Sequence, residues 1–384
     1  MDSDQDPVER AAEDGVDLHA VSTWETRSPL DYLAYGIYLV GSLMFKWLLV
    51  GVGIWIVYRL YTVSSLDAVT DPHVTMLVVL SVVPAIALAT YVRFANVTTS
   101  ESFSAVLVTF LLGILFAGFA IPFNRLGEAI VYQHVPIEAA AVVLLYLLVV
   151  GPVEETVKLL AVRLFAFRSS RFDAVIDGAV YGAAAGLGFA TIENALYITD
   201  PLQQTGSATA VLAVGGEVAA SRALAGPGHV LYSAIAGYYL GLAKFNRKYA
   251  WPIVIKGLLV AALFHGVYNV GTGVVPELLA TVEGITGFAA LVIYVVGFNA
   301  VVASYLYARL KRYRETYRAV KAGDRPAESR SSTAAEVDAP PRHWQGIERK
   351  STTEIDWPTT NGQDDGRERE HATRRESEHR YEDD

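Results

Sequence analysis

The sequence predicts an all-α membrane protein: a polytopic helical bundle of about eight transmembrane helices, flanked by polar, disordered tails. Two observations carry this. The 384 residues are 52% hydrophobic and 18% charged, with a mean hydropathy of +0.32. The apolar residues also fall in blocks of roughly 20, the length that spans a hydrocarbon core. The chain has no cysteine, which excludes disulfides, thiolate metal sites and cysteine nucleophiles.

The elements follow in chain order. Residues 1–31 form an acidic, disordered arm without the basic region and short apolar core of a cleavable signal, so insertion is expected to begin with the first spanning helix. Apolar runs at 33–58, 74–92, 104–123, 138–167, 174–198, 227–243, 252–271 and 285–308 are the eight expected spans, within a helical domain over 32–310. The stretch 207–226, rich in small residues and carrying Glu217 and Arg222, reads as a helix lying at the membrane interface. Residues 320–384 are Arg, Glu, Asp, Ser and Pro with almost no apolar blocks, a disordered charged tail. Basic residues cluster in the loop at Arg163, Arg168 and Arg171, in the loop at Lys244, Arg247 and Lys248, and after the last span. With these on the cytoplasmic side, both termini are cytoplasmic, although Arg59 and Arg125 then fall outside.

Ionisable residues within the apolar runs mark where to look for function. Glu154, Glu155 and Lys158 sit together in one span, and Glu193, His229 and His265 lie in later ones. A carboxylate at membrane depth costs about 2.5–3.5 kcal/mol on insertion scales, and such residues mark ion paths, proton relays or active sites. At about 1.5 Å of rise per residue, Glu154, His229, His265 and Glu193 all lie roughly 20–24 Å from the cytoplasmic boundary. Scattered ion pairs have no need to agree in depth; a single site explains the agreement. Gly178, Gly182 and Gly186 repeat every four residues on the helix that carries Glu193, a stripe that lets a neighbour approach closely. His229, Ser233, Gly237 and Gly241 repeat the device, and His265 stands one turn from Asn269.

Three functions are compatible with this cluster. Glu154 and Lys158, at i and i+4, can neutralise one another in a structural role. Glu and His chains can carry protons or ions, with Pro152 and Pro227 breaking helices near a midplane site, although no internal repeat is evident. Or the cluster hydrolyses peptides. A carboxylate and an imidazole can activate water directly, or a metal held by His and Glu can lower the pKa of its bound water to about 7. No HExxH is present, so ligands must come from separate helices. His229 and His265 with one carboxylate from Glu154, Glu155 or Glu193 would make a three-ligand site with an open position, whereas His265 with Asn269 would make a metal-free oxyanion pocket.

PVEETVK (152–158), DGAVYGAAAGLGFATIENALY (177–197), GPGHVLYSAIAGYYLGLA (226–243) and LFHGVYN (263–269), in that order, resemble the PrsW family of intramembrane proteases. That family is in turn similar to the CAAX-prenyl-protease and bacteriocin-immunity membrane proteins. The resemblance covers about 90–308 and implies an intramembrane peptidase, of metalloprotease or glutamate-activated-water type. It assigns catalytic roles to Glu154, Glu155, His229, His265 and Asn269, with Lys158, Glu193 and Asn194 in support. It also implies a zinc cofactor, with His229, His265 and Glu193 as ligands. The expected partners are the lipid bilayer of the cell membrane and a membrane-protein substrate, such as an anti-sigma-like regulator, and no nucleic acid.

Overall fold

A computed structural model describes residues 27–63, 65–98, 102–201 and 208–321, which are helical with no strand among them. The helices are α1 (Pro29–Val63), α2 (Pro72–Phe94), α3 (Phe103–His134), α4 (Glu138–Leu144), α5 (Gly151–Leu164), α6 (Val175–Thr199), α7 (Ala208–Lys244), α8 (Ala250–Leu279) and α9 (Gly287–Lys321). Apart from 27–31 and 320–321, which belong to the helical ends, the expected acidic arm and charged tail lie outside the described residues.

Local chemistry sets the helix starts. Asp71 caps α2 by accepting from the amides of His73 and Val74, and Pro72 occupies the first turn, where its missing N–H costs nothing. The His73 amide, the larger influence, and that of Val74 hold the Asp71 carboxyl below its usual range. Ser102 caps α3 in the same way. At the start of α6, Asp177 accepts from the amides of Asp173 and Ala174 at 2.9 and 2.8 Å, and from the Asn96 amide nitrogen at 2.9 Å.

Seven helices among the described residues are long and apolar enough to cross a membrane: α1, α2, α3, the run from α4 through α5, α6, α8 and α9. The eighth long helix is α7. From Ala225 to Ala243 it is almost wholly buried, so its polar and small residues there meet other helices. Together with α6 it forms the centre of the bundle: 83% of the α6 span is buried, against 6% of α1. The two glycine stripes mesh antiparallel. A Cβ on Gly178, Gly182 or Gly186 would run into the carbonyl of Gly237, Ser233 or His229 respectively, and one on Gly237 would strike the Gly178 carbonyl. Backbones touch along this seam, so its partners cannot slide.

Two elements differ from expectation. The stretch 207–226 is not a separate interfacial helix, because α7 runs unbroken from Ala208 to Lys244 through Pro227. Proline removes one i→i−4 bond and strains the preceding turn. Side chains from neighbouring helices supply donors there: Asn194 Nδ2 reaches the Arg222 carbonyl and Asn299 Nδ2 reaches the Leu224 carbonyl, each at 3.4 Å. Proline within membrane helices is tolerated by this kind of repair. The expected span 138–167 is interrupted by a π-helical turn over Leu145–Val150, just before Pro152. There the Gly151 amide reaches back five residues to the Tyr146 carbonyl. The turn packs backbone to backbone on α8: a Cβ on Gly151 would lie 2.6 Å from the Ala262 carbonyl, and one on Gly266 would lie 2.7 Å from the Tyr146 carbonyl. Such turns recur at functional sites, and this one leads directly into the paired glutamates.

Candidate active site

Each part of the site comes from a different helix. The first turn of α5 presents Glu154 and Glu155, with Lys158 one turn on; α6 brings Glu193 and Asn194, α7 brings Arg222 and His229, and α8 brings His265 and Asn269. Registry between α6 and α7 follows from the glycine seam, whose last contact, Gly186 on the His229 carbonyl, lies two turns from Glu193. The π-turn seated on Gly266 fixes α5 against α8 beside His265. The common depth read from the sequence is therefore a common site.

Glu155 is the most enclosed of these groups, with 0% exposure. Its Oε1 accepts from Lys158 Nζ at 2.7 Å and lies 2.9 Å from His265 Nδ1, and its Oε2 accepts from Ser233 Oγ at 3.2 Å. A carboxylate with these donors is fully satisfied. Lys158 Nζ also lies 2.9 Å from His229 Nδ1, 3.6 Å from Glu154 Oε2 and 4.1 Å from the centre of the Phe189 ring. Glu155, rather than Glu154, is thus the closer lysine partner.

The contacts decide the imidazole tautomers. An ammonium donates, so His229 Nδ1 accepts, and its Nε2 carries the proton offered to Glu193 Oε2 at 2.8 Å. His265 donates from Nδ1 to Glu155, and its Nε2 lies 3.7 Å from Glu154 Oε2. The two rings meet edge to face at 5.2 Å; Tyr232 stacks on His265 and Phe189 on His229. The same Glu193 oxygen accepts from Arg222 Nη2 at 2.5 Å, and Arg222 Nε donates to Asn194 Oδ1 at 2.9 Å; Asn194 in turn donates to Ser81 Oγ at 3.1 Å. Glu154 differs from the rest. Its Oε1 accepts from Asn124 Nδ2 at 3.1 Å, but its Oε2, though buried, has no hydrogen-bond donor.

These groups wall a cavity of about 440 Å³ that includes Glu154, Glu193, Arg222, His229, His265 and Asn269. Glu154, His229 and His265 each offer a ligand atom within 4.8 Å of the other two, the one group of this kind among the described residues. Glu193, expected as the third ligand, is not in that group. The structure brings together every site residue expected from the sequence; Asn269 lines the cavity without a side-chain partner of its own. Sequence reasoning missed the roles of Arg222, Asn124 and Ser233. Ser233 carries a usable signal, being polar inside the apolar run 227–243, whereas Asn124 falls one residue beyond the run 104–123.

A bundle that buries two glutamates, two histidines and a lysine beside a chamber defines a membrane protein with an ionisable centre at depth, the setting of a hydrolytic site or an ion path. The model of the PrsW family of intramembrane metalloproteases matches residues 101–302. A protease of this family from Geobacillus kaustophilus is 35% identical over 195 residues, covering 49% of this chain and 76% of the relative. One from Shouchella clausii is 31% identical, covering 50% and 81%, and one from Bacillus subtilis is 30% identical, covering 49% and 78%. No solved structure matches. The chain belongs to the PrsW family: it is a multi-pass membrane protein and an intramembrane protease. Of the three readings of the cluster, this selects hydrolysis.

Proposed function

We propose that the protein cleaves a peptide bond of a membrane-protein substrate, an anti-sigma-like regulator by family association, with Glu154 as the reacting carboxylate. One observation carries the reading. Glu154 Oε2 is buried, lacks a donor, and stands 3.7 Å from His265 Nε2 on the wall of the chamber. A buried acceptor left unpaired costs about 1–3 kcal/mol, and a site that reserves one for a reactant explains its persistence.

In this mechanism Glu154 Oε2 takes a proton from a water beside it, and the water oxygen attacks the substrate carbonyl carbon. Asn269, with its side-chain amide uncommitted, donates to the developing oxyanion. Glu154 then returns the proton to the leaving nitrogen. Glu155, held by Lys158 and Ser233, fixes the His265 tautomer from behind, and Arg222 with Glu193 does the same for His229. Glu154, His229 and His265 would hold a zinc ion, for which the unpaired Oε2 is suited, and His229 would give up its contact with Lys158 or Glu193 to join it. When bound, zinc supplies Lewis acidity and a water ionising near pH ~7. A metal-free variant has its own support: His229 Nδ1 faces Lys158 and its Nε2 faces Glu193, so neither nitrogen is vacant. Both termini are cytoplasmic in this reading, from the basic loops.

The test is cleavage of a co-reconstituted membrane protein by Glu154→Gln and Glu155→Gln variants that still insert. Both should lose the discrete fragment; wild-type cleavage by Glu154→Gln would sink the proposal. Elemental analysis with chelation and zinc add-back divides the two variants. Full activity in protein shown to be metal-free would leave the glutamate-water route alone.

A further inference from the structure

A second cavity adjoins the first through the site itself. It measures about 230 Å³, and Asn124, Glu128, Glu154, Glu193 and Tyr197 line both. Its remaining walls are mostly apolar, including Leu60 of α1, Ala117, Gly118 and Ala120 of α3, and Ile192 and Leu196 of α6. Arg125 and Glu128 are its charged members besides the site carboxylates; both are exposed and so lie toward its outer edge.

The cavity exists because α3 is small where it faces α6. Ala117 and Ala120 are 7% and 2% exposed and cluster with Phe189. One turn beyond Ala120 on the same face is Asn124, the donor that holds Glu154. Gly118 seats α1, since a Cβ there would lie 2.5 Å from Ile56 Cγ2 and push the helix away. The buried, donorless oxygen of Glu154 belongs to a carboxylate on the wall between the two chambers. A substrate backbone reacting at Glu154 in the polar chamber therefore has an apolar recess immediately to one side.

We propose that this smaller cavity receives a large apolar side chain of the substrate residue flanking the scissile bond, and that Ala117 and Ala120 set its size. The proposal rests on Glu154 being the reacting carboxylate. An apolar cavity of about 150 Å³ accepts benzene, so 230 Å³ admits leucine, methionine or phenylalanine. An alanine there would leave the recess unfilled. Hydrophobic pockets discriminate by roughly 10–200-fold per methylene-sized difference.

The experiment uses the full chain reconstituted with single-span reporter proteins in which Ala, Leu, Phe, Trp or Lys is placed at each position flanking a mapped cut site. Mass spectrometry of the fragments gives relative rates. The wild type should cut Leu and Phe reporters at least about tenfold faster than Ala or Lys reporters. Ala120→Leu should reverse this, sparing the Ala reporter and slowing the Phe reporter about tenfold or more. Ile192→Ala enlarges the recess without risking overpacking, and should admit Trp. Equal rates for all reporters in the wild type, a preference for Lys, or uniform slowing in both variants would overturn the pocket while Glu154→Gln remained inactive. Wild-type cutting by Glu154→Gln would instead remove the catalytic reading, and this inference with it.

Discussion

Lys158 is the most informative residue to perturb, because it is the only ammonium buried in the site and touches both catalytic arms. It donates to Glu155 at 2.7 Å and to His229 at 2.9 Å, with 1% exposure. Hydrogen bonds to charged groups are worth about 1.5–3 kcal/mol each, so Lys158→Met removes about 3–6 kcal/mol of interaction. Breaking a buried ion pair from one side costs about 3–5 kcal/mol, a consistent figure, because the abandoned charge stays buried. Glu155 would then keep only His265 and Ser233. In Glu155→Gln the stranded charge is Lys158, whose other carboxylate, Glu154, lies at 3.6 Å. The double variant strands neither charge. Equilibrium unfolding in mixed micelles should therefore give about 3–5 kcal/mol of destabilisation for each single variant, and a double variant less destabilised than their sum by about 2–3 kcal/mol. Additivity within about 0.5 kcal/mol, or a Lys158→Met protein as stable as wild type, would refute this account of the pair.

Other perturbations test other parts. Gly182→Ala places a methyl against the Ser233 carbonyl and should destabilise by about 1–3 kcal/mol with reduced cleavage, whereas Gly216→Ala, with open space around it, should stay within about 0.5 kcal/mol of wild type in the same unfolding assay. Arg222→Lys keeps a charge on Glu193 but loses the planar grip on Asn194, so cleavage should fall roughly tenfold, and Arg222→Met should fall further in the same fragment assay. Asn124→Ala removes the donor to Glu154 Oε1; a loss of about 1–3 kcal/mol is expected on unfolding, with slower cleavage. Lys244→Met releases the Phe167 and Phe172 carbonyls and should speed limited proteolysis between 165 and 174.

Much of the site was legible because membrane depth can be counted along a helix. Glu154, Glu193, His229 and His265 shared a level, and glycine and serine at four-residue spacing told which faces met. Arg222 escaped because Pro227 looked like a boundary. The bond lost at Pro227 is the one to the Ala223 carbonyl; Asn194 and Asn299 donate to the carbonyls on either side of it, Arg222 and Leu224, and those contacts are invisible until α6 and α9 are in place. The π-turn escaped for a related reason: it depends on Gly151 meeting the Ala262 carbonyl and Gly266 the Tyr146 carbonyl across two helices, not on a local pattern. Lys158 lies within ion-pair distance of both glutamates; that Glu155 is the nearer follows from its facing Ser233 and His265, a rotation that i,i+4 spacing alone does not settle.

The seam between α6 and α7 has a mechanical consequence. Each glycine is indexed to a particular carbonyl on the opposite helix, so the level of Glu193 relative to His229 is set by steric teeth and not by the thickness of the surrounding lipid. A thinner or thicker bilayer tilts that pair as one plank. The outlying α1, with 6% of its span buried, meets α3 through side chains, Ile56 on Gly118 and Leu115 on Gly53, a softer seat than backbone on backbone and freer to adjust to the lipid. Chemistry and lipid adaptation are thereby assigned to different helices, which lets one active centre keep its alignment in membranes of differing acyl length.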